Sequence, residues 1–430
     1  MASFPKANES AHISIEMEIK EMLKNLPPQS KECCIYRTPE KLRKVNGNGE
    51  TYTPRAVSIG PFHRGQQHLQ AMEEHKLRYL QSFLPRTGSD LGPYVERVRT
   101  WERDARNCYA ETIDLSSDAF VKMLVMDGSF IVELLLRSSH IREGKNQSDH
   151  SDRIFSSPWL IDDLGRDMIL LENQLPFIVL ERMLRLVDRN LNENPSMLKL
   201  TYEHFKSFLT LHKYPDNIRP ADVKHFLDFL RHCHLPSPPK KWRKGGPAIE
   251  FSPSATRLNE AGIKFKVRES SCLLDVNFKS GVLEIPNLEI DDLTETLFRN
   301  LIAYEQCHCN EKYIIHYMAL LDSMINTPKD VELLIDQRII TSRLGSNEDV
   351  MILFNNICKE VVFGHDVYFS SLCQILNAYC RTPWHRWKAN LKRDYFHTPW
   401  AAVSVVAAVI LLMLTFIQTV CSIKSLIKSP

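Results

Sequence analysis

The sequence predicts a mainly α protein of the α+β class: a multi-helix globular body with a small β-hairpin element, followed by one C-terminal transmembrane helix. Three observations predict it. Apolar residues recur at helical spacing through most of the chain, whereas a short region from Ile263 to Ile290 breaks into strand-like runs. Ala401 to Ile423 carries no charged residue at all. With 430 residues, 43% of them hydrophobic, the chain can bury a substantial core, so disorder is not expected.

The first helix is expected over Ile13–Leu26, with Ile15, Ile19, Met22, Leu23 and Leu26 on one face, and Pro27-Pro28 ends it. Residues 1–32 therefore form an N-terminal amphipathic arm. From Cys33 to His63, turn residues such as Asn46–Gly49 and Gly60-Pro61 separate two β-like runs, CCIYR and AVSIG. Leu69–Leu84 reads as a second amphipathic helix. Tyr94–Ile113 reads as a third, with a stripe of Val98, Trp101, Ala105, Cys108 and Thr112.

Ser117–Arg137 is apolar almost all round, which calls for burial on nearly every face. Lys122, Asp127 and Glu133 inside it would each cost about 3 kcal/mol at bilayer depth, so it is read as a core helix and not a second span. After a polar loop from Arg142 to Arg153, a helical region from Trp159 to Val187 must be kinked or divided by Pro176.

The Pro/Gly-rich loop 235–253 joins two halves of a body domain spanning 33–385. Past it comes a short helix over Ser254–Ala261, ended by Gly262. IKFKV, CLLDVNF and VLEIPNLEI then read as strands, the last two joined as a hairpin through Lys279-Ser280-Gly281. Helices resume behind three start signals: Asp292 to Glu295 as a capping box, Thr327-Pro328, and Ser346 with Asp349. No internal repeat is visible.

The terminal apolar run spans roughly 34 Å as a helix, enough for a hydrocarbon core of about 30 Å. Its ends are set at Trp400 and Ile423, with a basic, aromatic juxtamembrane segment 386–399 before it and a short tail 424–430 after it. Five Lys/Arg precede the span within twenty residues and two follow, which places the body on the cytosolic side of a plasma membrane or endomembrane. So short a tail implies insertion after synthesis, as in tail-anchored single-pass proteins. The charged N-terminus has no apolar signal core, and the eleven cysteines form no regular framework and read as reduced.

Formal net charge is +2, but the last fifty residues carry seven Lys/Arg against Asp394 alone, leaving the body slightly acidic. A general nucleic-acid binder would carry its basic excess on the folded part, so nucleic acid is excluded as a partner.

The run CCIYRTPEKLRKVNGNGETYTPRAVSIGPFHRGQQHLQAMEEHKLRYLQSFL (Cys33–Leu84) resembles the opening signature of the plant domain-of-unknown-function 247 family. DGSFIVELLL, LIDDLGRDMILLENQLPFIVLE, PSATRLNEAGIKFK and IPNLEIDDLTETLFRNLIAYEQC extend the resemblance over nearly the whole chain. It implies a plant protein with one family domain and a single-pass membrane tail, and it implies no reaction. Some grass members resemble pollen-side determinants of self-incompatibility, an association with recognition.

Four constellations hold residue types capable of chemistry. Ser58–Gly65 offers a hydroxyl, His63 and Arg64 beside backbone N–H groups, an arrangement suited to an anion, but it lacks phosphate-loop spacing and reads better as a structural turn. Asp162, Asp163, Asp167 and Glu172 fit a partly paired helix face, with Asp162 facing Arg166. His225, His232 and His234 with Cys233, and Cys307-His308-Cys309, lack the partner spacing of a metal site. The basic cluster Lys240, Lys241, Arg243 and Lys244 around Trp242 is the candidate lipid or partner contact.

No catalytic, cofactor or metal motif is present. The expected function is that of a non-enzymatic recognition, interaction or signalling component, bound to a membrane through its terminal helix and to an unidentified protein partner. The alternative is a membrane-attached, hydrolase-like enzyme whose site is dispersed in sequence. The sequence is silent on oligomeric state.

Overall fold

A computed structural model describes residues 8–24, 30–47, 49–144, 152–187, 196–206, 214–215, 218–235, 250–270, 272–364, 368–382 and 399–427. Helix α1 (Asn8–Lys24) begins five residues earlier than the apolar spacing suggests. Its residues 15–24 are all exposed, the apolar Ile15, Ile19, Met22 and Leu23 included. After the short α2 (Glu40–Arg43), α3 (Ala71–Thr87) buries Met72, Lys76, Tyr79, Leu80 and Phe83 along one face.

The helix expected over Tyr94–Ile113 is instead broken into α4 (Leu91–Arg99) and α5 (Glu102–Arg106). Val98, Trp101, Ala105 and Cys108 are buried as the stripe requires, but Thr112 is exposed. The early end of α5, short of Ile113, has a tertiary cause. The Cys108 carbonyl accepts from the backbone N–H of Cys34 and Ile35, at 2.8 and 2.9 Å, and Ile35 bridges Tyr109 in parallel. A backbone carbonyl committed to another segment is no longer available to a helix. That single bridge is all the pairing the CCIYR run makes. Among the described residues the AVSIG run pairs with no strand.

Helix α6 (Ser117–Arg142) is the axis of this half. Ser116 caps it, its hydroxyl accepting from the Ala119 N–H at 3.2 Å, and helices α3 and α4 lie against it. Two further helices complete its sheath: α8 (Phe177–Val187) and α9 (Met197–Phe205), with α7 (Pro158–Met168) separated from α8 by the segment that Pro176 closes. Helix α10 (Phe226–His234) follows.

The second half opens with α11 (Ala255–Glu260) and a three-stranded sheet of order β1 (Lys264–Arg268), β3 (Val282–Pro286), β2 (Asn277–Lys279). The β2–β3 hairpin turns on Ser280 and Gly281, both left-handed at φ 53° and 78°, as a two-residue turn between right-twisted strands requires. Only the end of CLLDVNF joins it. The parallel β1–β3 pairing and a second sheet, β4 (Leu288–Ile290) beside β5 (Ile340–Ser342), link residues too distant for alternation alone to reveal.

Helices α12 (Thr294–Cys307), α13 (Tyr313–Met324), α14 (Pro328–Asp336), α15 (Asn347–Ile357) and α16 (Ser370–Arg381) enclose these sheets, and α17 (Pro399–Ile427) follows. Thr327 with Asp330 and Ser346 with Asp349 cap as expected. At α12 the capping carboxylate is Asp291, not Asp292: it accepts from Leu293 N–H, Thr294 N–H and the Thr294 hydroxyl, at 2.9–3.0 Å. Buried side chains of both halves belong to one continuous apolar cluster.

Candidate functional site

The polar residues of the signature runs converge inside the body around the segment 50–65. Asp167, fully buried at the end of α7, accepts the backbone N–H groups of Arg55, Ala56 and Val57 at 2.7–3.0 Å. Its neighbour Arg166 donates to Asp167 at 2.9 Å and to the carbonyls of Thr53 and Glu50 at 3.1 and 2.6 Å. The expected Asp162–Arg166 pairing on an exposed helix face is replaced by this buried one. A guanidinium with three oxygens facing it has no reason to remain at the surface.

Three consecutive residues after α7 continue the network. Glu172 accepts from the Thr38 N–H at 2.8 Å and from Arg43, with His63 Nε2 3.3 Å away. Burial pushes its carboxyl up, but His63, Arg43 and the Thr38 N–H together outweigh burial and bring it to about 2. Asn173 accepts from the Ile59 N–H and donates to the carbonyls of Val57 and Asp167. Gln174 donates to the carbonyls of Met168 and Leu170 and accepts from the Phe226 N–H.

On α6, Asp127 accepts from Lys76 Nζ at 2.7 Å and from the Gly60 N–H at 2.9 Å, while Lys76 also donates to the Ser58 carbonyl at 2.6 Å. Glu133 faces Arg86 and Arg137, each at 2.8 Å. Gly60 is obligatory: at φ 73°, a Cβ would stand 2.7 Å from the Gln174 carbonyl oxygen. The N–H groups of Ile59 and Gly60 are therefore spent on Asn173 and Asp127, and the turn around Ser58–Gly65 is a structural one.

This arrangement does a definite job chemically. It holds an irregular segment in the interior by giving its backbone groups charged and amide partners. Asn300 on α12 does the same between halves, accepting from the Leu171 N–H and donating to the Thr51 carbonyl, both at 2.9 Å. The sequence does not single out Lys76, Asn173 and Asn300, and it gives Arg166 only as the partner of Asp162. For Lys76 a signal existed, because it sits on the apolar stripe of α3 between Met72 and Leu80.

The histidines of α10 diverge. His225 is buried, its Nδ1 accepting from the Asp228 N–H at 3.2 Å and its Nε2–H donating to the Cys34 carbonyl at 3.1 Å, which requires the neutral ring. Burial brings it to about 4. His234 bonds the Leu230 carbonyl, and His232 lies 3.7 Å from Asp228. Among the described residues no group of three or more His, Cys, Asp or Glu is placed to hold a metal ion.

A cleft of about 420 Å³ lies between α11, α14 and α16, lined in part by Thr256, Arg257, Lys329, Asp330 and Cys380. Its buried carboxylate, Asp330, already accepts from the N–H groups of Thr256, Asn326 and Thr327 and from the Thr327 hydroxyl.

Helix α17 differs from all of this. Over Val406–Ile423 none of it is buried, and Leu412 and Phe416 are each 71% exposed. It is the one helix among the described residues long and apolar enough to cross a membrane. Thr415 and Thr419 turn their hydroxyls inward to the carbonyls of Leu411 and Thr415, both at 2.8 Å, leaving the outer surface apolar. Both span ends, Trp400 and Ile423, fall within it. Lys240, Lys241, Trp242, Arg243 and Lys244 lie outside the described residues, as does most of the juxtamembrane segment.

Comparison with known proteins places the chain among plant proteins of unknown function. The family described as plant protein of unknown function matches residues 35–414. One Arabidopsis thaliana UPF0481 protein is 31% identical, over 91% of this chain and 87% of its own length. A second, a putative UPF0481 protein of the same plant, is 23% identical over 89% of each. No solved structure matches.

Proposed function

The chain belongs to the plant domain-of-unknown-function 247 family, and from that premise we propose that it is a membrane-anchored, non-enzymatic interaction protein with its body in the cytosol. The observation that carries the proposal is the contrast between an apolar helix with no buried surface and a body whose buried charges are paired with one another. A 23-residue uncharged stretch left in water would expose far more contiguous apolar surface than a soluble monomer tolerates; a bilayer removes that cost. The basic residues before the span favour the cytosolic side for the body.

The body's polar groups support a binding role over a reaction. Reaction centres gather titratable groups at a cavity with their valences open to substrate. In this body the buried carboxylates Asp127, Asp167 and Glu172 are engaged by this chain's own donors.

The test is alkaline carbonate extraction of native plant membranes, followed by protease treatment of sealed vesicles from the same preparation. The protein is expected to stay in the pellet, and its body to be digested without opening the vesicles. Release into the carbonate supernatant would remove the anchor, and protection of the body would reverse the topology.

A further inference from the structure

The Ile35–Tyr109 bridge has a neighbour of chemical interest. Cys34 and Cys108 are the residues just before the bridged pair, and the Cys108 carbonyl holds the Cys34 N–H at 2.8 Å. Two residues joined N–H to C=O at that distance have their Cα atoms within about 6.6 Å of each other, inside the roughly 4.4–6.8 Å range that a disulfide spans. Both thiols are free, and Cys108 Sγ–H donates to the Asp104 carbonyl at 3.4 Å. Cys34 is 1% exposed and Cys108 8%, so Cys108 is the member a reagent reaches first.

We propose that Cys34 and Cys108 form a reversible disulfide, a modification site that staples the start of the body to the end of α5. The oxidant is a low-molecular-weight disulfide such as glutathione disulfide. The Cys108 thiolate attacks one of its sulfurs, forming a mixed disulfide and releasing one glutathione thiolate. The Cys34 thiolate then attacks Cys108 Sγ and releases the second. Two protein thiols lose their protons and two glutathione thiols gain them; the protein pair is oxidised and the reagent reduced.

The surroundings suit this exchange. The neighbouring Cys34 thiol and the positive charge of Lys224, just before α10, hold the Cys108 thiol below its ordinary value, whereas Cys108 and burial push Cys34 up, so Cys108 is the first nucleophile. The Cys34 carbonyl is held by His225, so the backbone on one side of the bond is fixed by α10 while the other is fixed by α5.

The test uses the full chain in detergent micelles, exposed to glutathione disulfide, alkylated, digested without reduction and sequenced by mass spectrometry. The expected result is loss of two titratable thiols, with residues 34 and 108 joined in one cross-linked peptide and both thiols regained on treatment with a dithiol. Because Cys33 is adjacent, Cys33→Ser should retain the cross-link and Cys34→Ser should abolish it. Since the decisive product is read on the unsubstituted chain, a variant that fails to fold does not decide the matter. Glutathione adducts without a cross-link, a link through Cys33 or Cys307, or unchanged thiol content would each overturn the proposal.

Discussion

Helices α6 and α17 are composed alike and end in opposite places. Each is apolar around nearly its whole circumference and, at 26 and 29 residues, each is long enough to cross a bilayer. Yet α6 is sheathed by α3, α4, α8 and α9, with Phe130 and Leu134 fully buried, whereas Val406–Ile423 of α17 is bare. The difference rests on three side chains. Lys122 reaches solvent, Asp127 meets Lys76, and Glu133 meets Arg86 and Arg137. A charged group on an apolar helix is an address: it is affordable only where a partner waits, and α17 carries none between Ala401 and Ile423.

Breaking the address should have the largest effect. Asp127→Ala leaves the Lys76 ammonium with only Glu73 and the Ser58 carbonyl in a buried setting and is expected to cost about 3–5 kcal/mol. Urea unfolding followed by near-ultraviolet circular dichroism measures it. A loss below about 1 kcal/mol would mean that pairing does not hold α6 in the body.

The converse experiment gives α17 a charge with no partner. Leu412→Arg should make insertion about 3 kcal/mol less favourable and shift the protein toward the carbonate supernatant.

Acidification should separate the two helices again. Burial brings His204, His225 and His316 to about 4 from an ordinary value of 6.5, so their stabilisation is complete above pH 6.5 and is lost as pH falls toward 4. For His225 alone the loss is on the order of 3 kcal/mol at pH 4. Glu172, held at about 2, adds a further loss between about 4.5 and 2, whereas Asp322, pushed up to about 6 by burial, and Asp127, Asp167 and Glu305, which burial also pushes up, oppose it. The body is expected to unfold on titration from pH 7 to 4 while membrane retention, read by flotation, stays constant.

Two smaller changes sharpen the account of how α6 is held. Gly60→Ala drives a Cβ against the Gln174 carbonyl in a left-handed backbone and should cost about 1–3 kcal/mol, lowering the melting temperature. Ser116→Ala removes the cap of α6 and should cost about 1 kcal/mol, again read as a melting shift.

Much of this architecture is legible in one dimension. Helical spacing located α3 and α6, Pro176 marked the division between α7 and α8, and Ser280-Gly281 marked the hairpin, because each depends on residues a few positions apart. The network around segment 50–65 was not legible. Asp167 reads as one of several acids on a helix face until Arg55–Val57 are brought to it, and Lys76 reads as an interruption of a stripe until Asp127 is opposite. The end of α5 at Arg106, short of Ile113, likewise follows from a bridge to Ile35 that local propensity does not register.

By itself, then, the sequence determined the helical class, the uncharged terminal helix and the family, since burial pattern, span length and signature runs are all properties of contiguous residues. Only the tertiary structure decided which charges are paired, which backbone groups they hold and which thiols face each other. The physical reason is range: hydrophobic periodicity and capping act within a turn or two, whereas hydrogen bonds and ion pairs join whatever the fold brings within about 3 Å, however far apart in the chain.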